Sequence, residues 1–106
     1  MPDRDRDPGR DENVLTKERV RTQPPRMYKV LLHNDDYTPM EFVVMVLEVV
    51  FRKANPEAVR IMLNVHKRGI GVCGTYPFAV AETKVQKVRQ LARSEGHPLR
   101  CSMEEA

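Results

Sequence analysis

Apolar residues recur along this chain with two different periods. Tyr28, Val30 and Leu32 alternate with other residues, which predicts a strand over 27–32. From Phe42 to Phe51 nearly every position is apolar. That run predicts a deeply buried helix reaching about Lys53, with Thr38 as N-cap, Pro39 at the first helical position and Glu41 completing a capping box. Asn55-Pro56 repeats the cap-then-proline signal, and a second helix should run to Lys67 or Arg68, where Gly69 ends it. Ala58, Met62, Val65 and His66 fall on one stripe of that helix, with Val59 and Ile61 on flanking faces. Residues 69–78 are strand-like and punctuated by Gly69, Gly71 and Gly74. A third helix is predicted over Ala79–Glu95, with Val80, Val85, Val88, Leu91 and Ala92 inward and Gly96 closing it. Pro98–Met103 reads as the last strand, with Leu99, Cys101 and Met103 on one face. The order β-α-α-β-α-β predicts an α+β domain: a three-stranded, mainly antiparallel sheet packed against three helices.

The first 25 residues break the pattern. Asp and Arg alternate there, prolines stand at 2, 8, 24 and 25, and only Val14, Leu15 and Val20 are apolar beyond the first methionine. Such a segment cannot bury enough surface to offset its ordering entropy, so 1–25 is expected to be a flexible extension and 26–106 the folded domain. Charge adds little: 18 basic residues stand against 15 acidic ones. The pI of 9.1 therefore reflects a few extra charges in a small chain. A small ribosome- or nucleic-acid-associated α+β protein remains the alternative, but no aromatic-and-basic strand surface supports it. No apolar run approaches the ~20 residues needed to span a bilayer, and the N-terminus is charged rather than signal-like, which favours the cytoplasm. Cys73 and Cys101 lie in strand-like segments and read as reduced, small apolar residues. With no C-x-x-C pair, a structural zinc site is not expected.

The candidate chemistry lies between the first strand and the first helix. Asn34, Asp35 and Asp36 place acceptor oxygens on a short turn, beside Met40 at the mouth of the helix. Met62, Val65 and His66, and likewise Met40 and Val43, are spaced to share helix faces. If the two helices pack side by side, the stripes make an apolar pocket with the acidic turn at its rim. Acceptors beside an apolar mouth suit a ligand with a cation at one end and a large apolar group at the other, such as a free peptide N-terminus. A neutral His66 can accept a hydrogen bond from that N–H, so acid should weaken binding. The same residues have ordinary explanations as turn formers and core. An acid–base pair of His66 with Asp35 or Asp36 lacks a nucleophile or oxyanion motif, so an enzyme is not expected. The acidic turn lacks the spacing of a calcium loop, and His33, His66 and His97 match no metal motif. No cofactor is called for. His33 and His97 read as surface or strand-edge residues.

Four blocks carry a resemblance: M-Y-K-V-L-L-H-N-D-D-Y-T-P-M-E-F-V (27–43), M-L-x-V-H-x-x-G (62–69), A-E-T-K-V (81–85) and H-P-L-x-C (97–101). From about Pro24 to the C-terminus the chain resembles the bacterial ClpS adaptors. The resemblance implies recognition of N-degrons, substrates whose first residue is Leu, Phe, Tyr or Trp, and their delivery to the ClpA unfoldase of the ClpAP protease. It implies that Asn34, Asp35 and His66 hold the α-amino group and that Asp36 and Thr38 shape the rim. Met40, Val43, Met62, Val65 and Leu99 would line the side-chain pocket, with Met40 gating against β-branched first residues. Glu82, Thr83 and Lys84 would face the ClpA N-terminal domain, and the segment before Pro24 would serve delivery rather than binding. An adaptor of this kind is expected to be a monomer. Where family members often carry an acidic residue just before A-E-T-K, this chain has Ala79, which removes one electrostatic contact from the unfoldase-facing surface.

Overall fold

The computed structural model describes residues 23–106. The extension predicted over 1–25 therefore lies mostly outside the described residues. The elements run β1 (Met27–His33), α1 (Met40–Val49), α2 (Asn55–Arg68), β2 (Ile70–Pro77), α3 (Phe78–Glu95) and β3 (Arg100–Glu105). Strand β1 is central, with β2 and β3 antiparallel on its two sides. The predicted class and order hold.

Period two governs β1: Val30 and Leu32 are fully buried and belong to the core, and Tyr28 packs against it. Opposite Leu32 stand Gly71 on β2 and Cys101 on β3. The β1–β2 register shifts between Val30 and Leu31, which pair with Gly74 and Val72, so Cys73 is the extra residue of a bulge. Both cysteines are free and buried, as the sequence suggested. Burial pushes the Cys101 thiol up to about 12, and burial followed by the nearby Cys101 pushes Cys73 up as well. Neither is a ready nucleophile.

The helices differ from expectation in detail. Helix α1 begins at Met40, with Pro39 extended at the cap position and no side-chain cap bond. Thr38 is drawn instead to Asp35. The helix stops at Val49, not Lys53, because Arg52 turns left-handed (φ 56°) and the Lys53 N–H reaches back to the Leu47 carbonyl. It is buried along one face only (Phe42, Val43, Val46, Leu47), and Val49 is 59% exposed. A second helix and one sheet cannot enclose it on all sides. On α2 the buried stripe is Ala58, Ile61, Met62 and Val65, so Ile61 takes the place expected for His66, which lies exposed at the margin. Ala54, not Asn55, is the cap, and the Asn55 amide donates to Glu48. Helix α3 starts one residue early, at Phe78, and its buried face is Ala81, Val85, Val88 and Ala92, four residues in the i, i+3/i+4 stripe that leaves Val80 43% exposed. Strand β3 runs two residues later than predicted at both ends, since pairing with β1 continues to Tyr28–Glu105.

Two glycines set the placement of α2. Gly69 ends it in the left-handed conformation (φ 87°), returning its N–H to the Val65 carbonyl. At Gly71 a Cβ would stand 2.6 Å from the Val65 methyl Cγ2. Helix and strand approach so closely there that no methyl fits. Gly71→Ala should therefore cost about 1–3 kcal/mol, read as a lower urea midpoint at unchanged slope. In the double variant Gly71→Ala, Val65→Ala the loss should be smaller than the sum of the two singles; strict additivity would show that the contact is not the cause.

Candidate functional site

The β1–α1 loop is built on one carboxylate. Asp35 Oδ1 accepts the backbone N–H of Tyr37 (2.8 Å) and of Thr38 (2.7 Å), and Oδ2 accepts the Thr38 hydroxyl (2.8 Å). Short Asp side chains favour this local bonding, which is why the loop can turn within a few residues. Partial burial alone would raise the Asp35 pKa. The Thr38 hydroxyl, the two N–H groups and the positive field of His97 outweigh it, and the net shift is below the usual carboxylate range. The charge is thus held in place at the surface of the loop. A further bond fixes where that loop sits: the Asn34 N–H donates to the Gly69 carbonyl at 2.9 Å. Gly69 closes α2, three residues after His66. The loop and the end of α2 are therefore tied together.

Between them lies a cavity of about 200 Å³, lined by Asn34, Asp35, Asp36, Thr38, Met40, Val43, Met62, Val65 and His66. Its inner wall is buried, with Val65 3%, Val43 7% and Met62 8% exposed. Met40 is 44% exposed at the entrance. Asn34, Asp36 and His66 are exposed at the rim, with Asp35 and Thr38 half-buried. Among the described residues no hydrogen bond holds the His66 ring. The volume is below the ~300–1,000 Å³ of ordinary small-molecule sites, which suits one side chain rather than a cofactor. Among the described residues no group of three His, Cys, Asp or Glu is arranged to hold a metal.

Nine of the ten residues singled out for this pocket come together. The exception is Leu99. It is 6% exposed within the core and lines a different concavity, beside β3. It belongs to the same buried core as Val43, Met62 and Val65. Sequence spacing carries no information about that long-range placement.

The second predicted face is also less uniform than expected. Glu82 and Thr83 are exposed, the Thr83 hydroxyl donating to the Ala79 carbonyl. Lys84 is half-buried. Its Nζ donates to the Val50 carbonyl at 2.8 Å, above the rings of Tyr76 (5.2 Å) and Phe51 (5.8 Å). Desolvation, followed by the neighbouring charges of Lys87 and Arg52, lowers its pKa. Lys84 thus caps the end of α1 and ties α3 to it. The Val-x-Phe end of α1 gave no sequence signal of that role. Near these residues Phe78 and Val80 are 50% and 43% exposed, an apolar pair that sequence reading had assigned to the sheet and the core.

A family model described as "ATP-dependent Clp protease adaptor protein ClpS" matches residues 23–102. The chain belongs to the ClpS family. It is 62% identical over 92 residues to a ClpS adapter of Desulfatibacillum aliphaticivorans, covering 87% of this chain and 88% of the relative. It is 55% identical over 106 residues to that of Rhodospirillum centenum, covering 98% of each. The solved structure of Agrobacterium tumefaciens ClpS2 bound to L-phenylalaninamide matches with a TM-score of 0.76 and 40% identity, over 78% of this chain and 100% of the other. ClpS proteins are adaptors of the ATP-dependent Clp protease, not enzymes.

The loop chemistry makes a specific demand. Asp35→Asn keeps an oxygen for the two backbone N–H groups but removes the charge. Because the folded Asp35 pKa is depressed, its contribution to stability is present above the unfolded value and is lost as pH falls through the folded one. At neutral pH Asp35→Asn should melt below the wild type, and the gap should close below about pH 4. A gap that persists in acid would show that the charge is not what the loop depends on.

Proposed function

We propose that this adaptor binds the free α-amino end of proteins beginning with Leu, Phe, Tyr or Trp and passes them to a ClpA-type unfoldase in the cytoplasm. The observation that carries this reading is the juxtaposition of a one-side-chain apolar cavity with a fixed carboxylate loop. L-Phenylalaninamide, the ligand in the solved relative, has the same two parts: an ammonium and a large side chain. The lining of this cavity, apolar within and bearing acceptors at the rim, supports the same use.

Asp35, Asn34 and His66 receive the ammonium. The Asp35 oxygens already accept three hydrogen bonds, yet a carboxylate has about four lone-pair sites, so its role is chiefly the charge it fixes beside the pocket. Asn34 and His66 then supply neutral acceptors. Burying a Leu or Phe side chain against Val43, Met62 and Val65 contributes about 1.5–3 kcal/mol. That alone would not distinguish a chain end from an interior segment. An internal amide brings no charge, and leaving the acceptors unpaired costs about 1–3 kcal/mol. Met40 and Met62, being flexible and polarisable, let one cavity take four side-chain shapes. Met40 narrows the entrance, where a branched Cβ would collide.

The unfoldase contact is assigned to the exposed side of α3, through Glu82, Thr83 and the apolar Phe78 and Val80, with Lys84 holding that surface in place. Ala79 supplies no charge to it. The segment before Pro24 is assigned to delivery.

A fluorescence anisotropy titration with a labelled peptide beginning with Leu should show binding at least tenfold tighter than for the same peptide N-acetylated or beginning with Ile. Equal affinity for all three would replace this reading with a general apolar groove. Met40→Ala should raise the affinity for the Ile peptide; if it only weakens Leu binding, Met40 is not a gate. Deleting residues 1–20 should leave peptide binding unchanged and slow degradation of a Leu-initiated substrate by the reconstituted protease; an unchanged degradation rate would remove the tail from delivery.

A further inference from the structure

A second, larger concavity, of about 520 Å³, lies between the end of α3 and the start of β3. Arg89, Arg93, His97 and Arg100 stand around a floor that includes Leu99 and Cys101. No carboxylate is among its lining residues. The ion pairs formed among the described residues, Arg26–Glu105 and Arg60–Glu57, involve none of these arginines. Arg93 lies in the last turn of α3, where the negative helix end favours a cation. That does not account for Arg100, which is on β3, or for His97, which is in the connection. Arg89 donates to the Cys101 carbonyl (3.3 Å), which holds its guanidinium against the strand while leaving most of its donors outward. This is a basic groove with an apolar floor and no internal counter-charge.

The groove is joined to the small cavity. The His97 ring packs edge-on against Phe42, with centroids 4.6 Å apart, and Phe42 immediately precedes the cavity residue Val43. His97 also contributes to the field on Asp35. His97 therefore lines the basic groove and is also close enough to Asp35 to act on its charge. We take a chain whose first residue sits in the cavity to run on past this loop. An extended chain covers ~3.3 Å per residue, so a few residues beyond the first reach across His97.

We propose that the groove is a second contact surface for the substrate polypeptide, taking acidic side chains a few positions after its first residue. This rests on the reading of the small cavity as an N-terminus site. The arginine forks match carboxylates, which they bind with paired N–H donors. A nucleic acid strand is the weaker fit, since His97 is the only ring in the lining on which a base could stack. The arrangement gives the adaptor a two-sign code: a cation at the substrate's first residue against the acidic loop, then anions against the basic groove.

The test uses the full chain and two labelled peptides that begin with Leu and differ only at positions 5 and 6, one with a Glu pair and one with a Gln pair. The wild type should bind the Glu peptide about three- to tenfold tighter at low salt, and raised salt should shrink the gain. In the double variant Arg93→Gln, Arg100→Gln the gain should vanish while the Gln peptide binds as before. Equal affinity of the wild type for both peptides overturns the proposal, as does a gain that survives in the double variant. Displacement of the bound Glu peptide by single-stranded RNA would assign the groove to nucleic acid instead. A Gln peptide that fails to bind at all overturns the N-terminus reading, and this proposal with it.

Discussion

The close approach of α2 to β2 at Gly71 governs the rest of the molecule. Because no side chain separates them, Val65 and Ile61 lie directly against the strand. That fixes the height of α2 over the sheet, and with it Met62 and His66. Gly69 then turns the chain back at once, and its carbonyl receives the Asn34 N–H. A single backbone bond between two connections so joins the carboxylate loop to the helix end. The cavity is a gap left between elements whose spacing is already set, and its inner wall of Val43, Met62 and Val65 is part of the core. Those inner-wall side chains are therefore held by the same packing that holds the fold, which limits the reorganisation that binding there requires.

Much of this was legible in the order of residues. The cap-and-proline signals and the glycines at 69 and 96 located the helices, and alternation located the first strand. The spacing of Met62, Val65 and His66, and of Met40 and Val43, was enough to suggest a shared pocket. What escaped were features decided by long-range contact. Thr38 had two possible uses, helix cap or loop brace, and the partner three residues before it won. Lys84 looked like a surface cation until the end of α1 was seen beneath it. Leu99 lies just before β3, and its place in the core beside a different concavity depends on contacts that spacing does not encode. The basic groove could not be read at all, since Arg89, Arg93, His97 and Arg100 come from a helix, a connection and a strand.

The distribution of charge matters more than its total. The chain is nearly balanced, but the described residues segregate the signs: Asp35 and Asp36 line the small cavity, and Arg89, Arg93 and Arg100 line the larger concavity that includes His97. Each patch is exposed and so individually weak and salt-sensitive. Their strength lies in fixing orientation. If the cavity takes a chain end as proposed, a ligand lacking a charged end would leave the acidic loop without a partner.

Met40 stands out among the cavity residues in being nearly half exposed, whereas Met62 behind it is 8% exposed. A thioether so placed is open to peroxide, and its sulfoxide is polar and chiral. Oxidation would strike the entrance first and leave the inner wall reduced. A sulfoxide at Met40 would set a polar group at the mouth while Val43, Met62 and Val65 kept the inner wall apolar.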